Sequence, residues 1–323
     1  MNKKFCDFMH KYQHVKMAVG VSGGVDSMCL LYWLHEIGAN CVCLHVNHEL
    51  RPEADTETDY VVDVCNKLNI PCKVFYWDSD KPKTGLEAAA REARYDMMIN
   101  YCRENGIEYL LTAHQSDDQI ETFLMNLSRG SGLYGLSSMM VESERGGIKI
   151  LRPLLGVSRS ELKKYCDDNN IKYFVDSMNS DEHYMRVKIR NNRHLLNDKL
   201  GISDSRILLA IQNLGRTRQW MDKYVAGRLD LVLRPWGTMF IDSFLFDEAE
   251  EIRLKLLGLM IQKIGGGSYS PRLNSLQNAL CRLGDDCQFT LGHCTIRRLG
   301  NRILIVPEGK RTTFRKRYEK RKK

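Results

Sequence analysis

Six consecutive residues, Ser22-Gly23-Gly24-Val25-Asp26-Ser27, combine two hydroxyls, two glycines and a carboxylate. Glycines let a backbone approach an anion closely, hydroxyls add donors, and the free N–H groups of a helix start face phosphate oxygens. The segment follows an apolar run and opens a helical pattern, as a phosphate cradle should. A lysine-bearing loop of the form G-x-x-x-x-G-K-[ST] occurs nowhere in the chain.

Further along lie groups able to act on whatever the loop holds. Asp118 and Glu121 sit three apart at the start of a predicted helix and share a face. Alone, they would better be read as first-turn acids complementing the helix dipole. Arg94 closes Glu87-Ala88-Ala89-Ala90-Arg91-Glu92-Ala93-Arg94-Tyr95, also a good helix surface, and Arg186 and Arg190 lie four apart on a basic helix face. A lone histidine such as His114 is more often structural than catalytic.

Two patterns carry less than they promise. Gly130-Ser131-Gly132-x-x-Gly135 fits G-x-G-x-x-G but follows a helix and lacks the acidic residue about 20 positions on, so a substrate loop suits it better than a dinucleotide site. His45, His48 and Glu49 have no third ligand group at matching spacing, which points to a nucleotide pocket rather than a metal centre.

Apolar runs at 15–21, 41–46, 72–77 and 109–113 read as strands, and 26–37, 56–68, 86–105 and 117–127 as the helices between them. This alternation predicts an α/β fold, a doubly wound, mostly parallel sheet whose ligands bind beyond the carboxyl ends of the strands. After 150 come a helix capped by Ser158 or Ser160, a polar stretch 176–183, a basic helix 184–196 and a linker helix 203–226. Short strands at 229–233, 239–242, 288–291, 295–299 and 302–306 with two helices then predict a smaller α+β domain. The expected division is a catalytic domain 1–215, a small domain 216–309 and a basic tail 310–323.

Charge follows that division. Residues 1–215 carry 26 Lys+Arg against 29 Asp+Glu, whereas 216–323 carry 22 against 11, and the last fourteen residues alone hold nine basic groups and one acid. A polyanionic partner for the second part is implied. Eleven cysteines scattered through apolar runs, none in C-x-x-C spacing, point to a reducing compartment without a disulfide framework, zinc ribbon or cysteine-held cluster. No secretory segment and no run of 18 apolar residues is seen, so the cytoplasm is expected and a membrane is not.

The loop resembles that of the PP-loop ATP pyrophosphatases (Rossmann-like), the superfamily of GMP synthetases, asparagine synthetases and tRNA-modifying adenylases. Within it, the order of His45-Val46-Asn47-His48-Glu49-Leu50-Arg51, the Arg94 helix, Thr112-Ala113-His114-Gln115-Ser116-Asp117-Asp118-Gln119-Ile120-Glu121, residues 129–136 and Arg152-Pro153-Leu154-Leu155 is similar to the tRNA(Ile)-lysidine synthetases. The likeness is close over most of 15–196 and looser beyond.

The resemblance implies a ligase. ATP adenylates the wobble cytidine of a minor isoleucine tRNA with a CAU anticodon, and free L-lysine displaces AMP to give lysidine, which reads AUA. It implies that Ser22, Gly23, Gly24, Val25, Asp26 and Ser27 hold ATP, with His45 in the nucleotide pocket, and that Asp26 and Asp118 meet Mg²⁺. Asp26, Arg94, His114, Asp118, Glu121 and Arg186 would be catalytic. One of Asp118 and Glu121 would meet the metal and the other the lysine ammonium. Arg190, following the segment with Asp176, Ser177 and Asn179, would meet tRNA with Arg272, Lys316 and Arg317; a homodimer is admitted. A tRNA thiolase, disfavoured by the lack of paired cysteines, and a non-catalytic tRNA-binding protein are the competing expectations.

Overall fold

The computed structural model describes residues 2–49, 53–78, 81–82, 85–174, 185–267, 269–284 and 288–309. Lys316, Arg317 and the rest of the basic tail, and Asp176, Ser177 and Asn179, lie outside them. The chain divides into two compact units, Met1–Gly215 and Arg216–Lys323. Among the described residues no helix is long and apolar enough to cross a membrane.

In the first unit, α1 (Lys3–Met9) leads to β1 (Met17–Gly20), α2 (Val25–Glu36), β2 (Cys41–Asn47), α3 (Ala54–Lys67), β3 (Cys72–Tyr76), α4 (Leu86–Glu104), β4 (Tyr109–Leu111), α5 (Ser116–Ser128) and α6 (Leu133–Leu136). There follow β5 (Glu142–Arg145), β6 (Ile148–Leu151), α7 (Arg159–Asp168), α8 (Met185–Asn192), α9 (His194–Leu200) and α10 (Asp204–Val232), which contains the division point. The sheet order is β3-β2-β1-β4-β6-β5, parallel except for the β5–β6 pair. From central β1 the chain winds outward through β2 and β3, then returns to place β4 on the other side. The crevice where direction switches lies between the loops after β1 and β4, the place where such sheets bind ligands.

Pleating sends alternate strand residues to opposite layers. Met17, Val19 and Cys43 join Phe5, Trp33 and Leu162 in one core, whereas Ala18, Val42, Leu44 and Leu110 pack with Tyr95, Met98 and Cys102 of α4 in the other. Sandwiched α2 is apolar nearly all round, and Trp33 meets Phe5 and Tyr165 at ring separations of 5.1 and 5.5 Å. Ser158 caps α7 by accepting from the Glu161 N–H at 3.2 Å.

Two sequence expectations change, and one hairpin is unanticipated. Residues 229–233 are not a strand: Met221, Val225 and Leu229 are buried at a four-residue spacing, and α10 continues to Val232, leaving only Leu233–Arg234 in β7. The basic helix breaks at Arg193 into α8 and α9. The hairpin β5–β6 turns through Gly146 and Gly147, both at positive φ as a tight two-residue turn requires; polar Glu142-Ser143-Glu144-Arg145 has no apolar alternation to announce an edge strand.

In the second unit β7, β8 (Gly237–Ile241), β9 (Gln288–Leu291), β10 (Cys294–Leu299) and β11 (Arg302–Pro307) form an antiparallel sheet ordered β7-β8-β11-β10-β9. It is accompanied by α11 (Ser243–Phe246), α12 (Glu250–Gly265) and α13 (Leu273–Gly284). Leu256, Leu257, Met260 and Ile261 of α12 are buried, as are Ile296, Ile303 and Ile305 of the sheet. This is the small α+β unit.

Candidate active site

The phosphate-loop residues form one compact turn. Gly23 adopts φ +82°, and Gly24 is extended at the helix N-cap. The Ser27 hydroxyl accepts from the Ser22 N–H at 3.1 Å and donates to the Gly24 carbonyl at 3.0 Å. Met28 N–H bonds back to Gly24 O at 2.9 Å, and Val25 N–H is taken up by the parallel bridge between Gly24 and Phe174, so the N–H groups of Asp26 and Ser27 are the ones without a partner among the described residues. They point from a helix start toward the crevice as an anion site does. Phe174 N–H donates to Gly23 O at 3.0 Å and holds the turn from outside.

Asp26 stands in the first turn of α2, its Oδ1 buried without a hydrogen-bond partner among the described residues. Burial raises its pKa to about 7; Arg159 opposes the shift while Asp118 and Asp117 add to it. Across the crevice Asp118 spends one oxygen on a capping box, where Oδ2 accepts from Gln115 N–H at 3.1 Å. Its Oδ1 stands 3.8 Å from Arg186. Burial raises the Asp118 pKa, Arg186 moderating it. Asp118 therefore both caps the helix and faces the site.

Glu121, one turn on, is 1% exposed and held by two arginines. Arg186 Nε lies 2.9 Å from Oε2; Arg190 Nε lies 2.7 Å from Oε1, and its Nη2 donates to Oε2 at 3.2 Å. Arg193, between α8 and α9, joins Asp117 at 3.1 Å and Asp204 at 3.2 Å, so this junction is tied to α5 and to the start of α10 by alternating charge.

Above them further arginines gather around His114 and Tyr95; of these, Arg145 pairs with Glu92 at 2.6 Å and Asp96 at 3.2 Å. His114 Nδ1 is 2.9 Å from the Thr112 hydroxyl and Nε2 is 3.5 Å from Arg91. Burial, then Arg91, Arg152, Arg94 and Arg186, hold it well below the usual histidine range, so the ring is neutral. Arg94 Nε is shielded from solvent with no hydrogen-bond partner among the described residues. The guanidinium groups of Arg91, Arg94 and Arg145 surround the Tyr95 ring, 5.3, 5.7 and 4.9 Å from its centroid. Arg152 anchors to Met140 O and Ser143 Oγ, both at 2.9 Å. Such a group of cations suits an anion.

The remaining expected residues fall elsewhere. His45 is buried with both nitrogens engaged, Nδ1 donating to Val21 O at 2.8 Å and Nε2 meeting Thr58 Oγ1 at 3.0 Å. It braces β2, the loop's entry and α3 rather than presenting a ring nitrogen to a nucleotide. His48, pushed down to about 4 by burial and then Arg94, packs edge-on against Trp77. Arg272 is exposed in the second unit, just before α13. Arg91, Arg152, Arg159 and Arg193 are site cations that sequence reading did not single out. Only the tertiary fold converts an ordinary Glu/Arg helix surface into a charged cavity wall.

Comparisons with known proteins place the chain in a family. Residues 1–196 match the family model of the PP-loop domain. The chain is 36% identical over 308 residues to the tRNA(Ile)-lysidine synthase of Wolbachia pipientis wMel, covering 92% of this chain and 71% of the relative. It is 33% identical over 302 residues to that of Rickettsia bellii strain OSU 85-389, covering 91% and 70%. Among solved structures, the U34-tRNA thiolase of Methanococcus maripaludis with its [4Fe-4S] cluster aligns over 66% of this chain and 76% of that one, with TM-score 0.56 and 18% identity, a likeness of fold. With the anion loop, the paired acids and the arginine group in one crevice, the chain belongs to the tRNA(Ile)-lysidine synthase family, built on a PP-loop domain.

Proposed function

We propose that this crevice carries out lysidine formation on tRNA(Ile) with ATP in two steps, both served by the same residues. The supporting observation is that an anion loop at a helix start, the Asp26 carboxylate with one buried oxygen unpartnered among the described residues, and Arg91, Arg94 and Arg152 around His114 gather in one unit at the sheet's switch point. The N–H groups of Asp26 and Ser27 and the Ser22 hydroxyl bind the outer phosphates of ATP. Arg94, assisted by Arg91 and Arg152, receives the charge that develops at the α-phosphate as the wobble cytidine is adenylated and later leaves with AMP.

Asp26 and Asp118 suit Mg²⁺: hard oxygen ligands, one with an oxygen that nothing else occupies and both made reluctant anions by burial. When bound, the ion neutralises phosphate oxygens. Glu121, saturated by Arg186 and Arg190, acts by fixing those two guanidinium groups. Free L-lysine enters amine first toward the carboxylates of α5. His114, neutral among cations, can hydrogen-bond the reacting base without adding charge. Arg190, Arg272, Lys316 and Arg317 supply tRNA contacts; the chain works in the cytoplasm, and a homodimer is the assembly it admits.

Incubation with tRNA(Ile), ATP and radiolabelled lysine tests the reading. Label incorporated into tRNA with release of AMP and pyrophosphate is expected. ATP consumption without label transfer, or sulfur transfer in its place, overturns it.

A further inference from the structure

Spacing separates Cys43, Cys65 and Cys72, yet the fold brings their sulfurs together, all within 4.8 Å of one another. The spacing of the cysteines along the sequence does not announce this proximity. Cys43 on β2 and Cys72 on β3 are register partners in a parallel pair, and Cys65 lies in the last turn of α3 above them. Backbone hydrogen bonds fix the frame: Ile70 N–H donates to Cys65 O at 2.9 Å, and Cys43 N–H donates to Pro71 O at 2.8 Å. The chain reverses tightly through Asn69, at φ +54°. Cys43 and Cys65 are fully buried, whereas Cys72 is half-buried on the edge strand.

We infer that Cys43, Cys65 and Cys72 form a binding site for one soft divalent cation of the zinc class, separate from the catalytic crevice. Zinc–thiolate bonds of about 2.3 Å place three sulfurs around one ion at roughly 3.8–4.0 Å from each other, so the thiols need close by less than an ångström. Softness selects the metal: three thiolates and no oxygen ligand exclude Mg²⁺ and Ca²⁺. Binding exchanges the three thiol protons for the ion, giving a tris-thiolate with one net negative charge and releasing three protons. The edge position of Cys72 gives the ion its route in and leaves a fourth coordination position for water.

The consequence is mechanical. An ion at this point ties the end of α3 to β2 and β3, and His45, two residues beyond Cys43 on the same face of β2, holds the carbonyl of Val21 just before the phosphate loop. Because the frame exists only when folded, binding stabilises the catalytic unit.

Cd²⁺ is the probe. The full chain, purified under reducing conditions, should bind one Cd²⁺ with a thiolate-to-metal charge-transfer band in the ultraviolet and a raised melting temperature. Cys72→Ser should weaken binding at least tenfold and remove most of the band, while Cys281→Ser at an exposed position should leave both unchanged. Alkylation of the wild-type chain followed by mass spectrometry covers a misfolded variant: Cd²⁺ should protect Cys72 while Cys281 stays reactive. No band in the wild type, a band that survives Cys72→Ser, or equal alkylation of Cys72 with and without Cd²⁺ overturns the site.

Discussion

Arg190 closes on Glu121 through two hydrogen bonds, Nε to one carboxylate oxygen at 2.7 Å and Nη2 to the other at 3.2 Å. Arg186 shares the same carboxylate at 2.9 Å. Glu121 is therefore the buried anion that allows two guanidinium groups to stand side by side. Removing one partner of such a network leaves the rest desolvated and unpaired. Glu121→Ala should lower stability by about 2–4 kcal/mol, measured by denaturant unfolding, and should abolish lysidine formation. Arg190→Ala should cost less, because Arg186 still neutralises Glu121. Equal losses in the two variants would contradict this account of the triad.

Asp26 behaves differently, since burial outweighs the attraction of Arg159 and leaves its charge a net cost. Its folded pKa is raised to about 7, so the cost of ionisation grows as pH rises above the ordinary aspartate value and is complete above about 7. Asp26→Asn should fold as well as wild type, gaining about 1–2 kcal/mol at pH 8, yet consume ATP at least about 100-fold more slowly. A stable variant that keeps normal ATP turnover would remove Asp26 from the chemistry.

Gly23 tests the shape of the cradle. A Cβ there would meet Phe174 and Val61 at ordinary contact distances, 3.5 and 3.6 Å, so space is not the constraint. Its φ of +82° is. Gly23→Ala should cost about 1–2 kcal/mol in the loop alone and appear as weakened ATP binding, by calorimetry, with tRNA binding unchanged. Loss of both together would indicate a wider collapse.

What sequence could reveal followed from how local each signal is. The strand after residue 15, the Gly23–Gly24 turn and the Ser158 cap are encoded within a few neighbouring residues, so pattern and structure coincide there. At 229–233 Leu-Asp-Leu-Val-Leu alternates like a strand, but Met221 and Val225 upstream set a helical stripe that carries through Leu229. Asp118 and Glu121 were visible as a pair; their different fates depend on α8, some 65 residues away, which delivers two arginines to one of them. The Cys43–Cys65–Cys72 contact likewise arises from strand register, a relation that spacing alone does not contain.

His114 provides a pH test. Its folded pKa lies well below the usual value, with burial as the main cause and four arginines adding to it. The unfolded chain therefore binds a proton that the folded chain refuses once pH drops below about 6.5. The associated stability is complete above that pH and is lost as pH falls through the window beneath it. His114→Gln should flatten this part of the acid limb relative to wild type, and the wild-type imidazole should show no NMR titration between pH 8 and about 6. A His114 midpoint near 6.5 would mean that the arginine group is not where the crevice places it.

The basic tail offers a prediction about partners. Residues 310–323 carry nine Lys and Arg and a single acid, equal in net charge to the +8 of the entire chain. Phosphate contacts release condensed counterions, and each contributes to the slope of log affinity against log salt. Deleting 310–323 should weaken tRNA binding and reduce that slope by several units, about 0.7–0.9 per lost phosphate contact, with ATP binding unaffected. If the tail contributes only diffuse attraction, affinity at low salt falls but the slope changes by less than about one. Filter binding across a salt series separates these outcomes, and an unchanged slope would assign the tRNA contacts to the folded units alone.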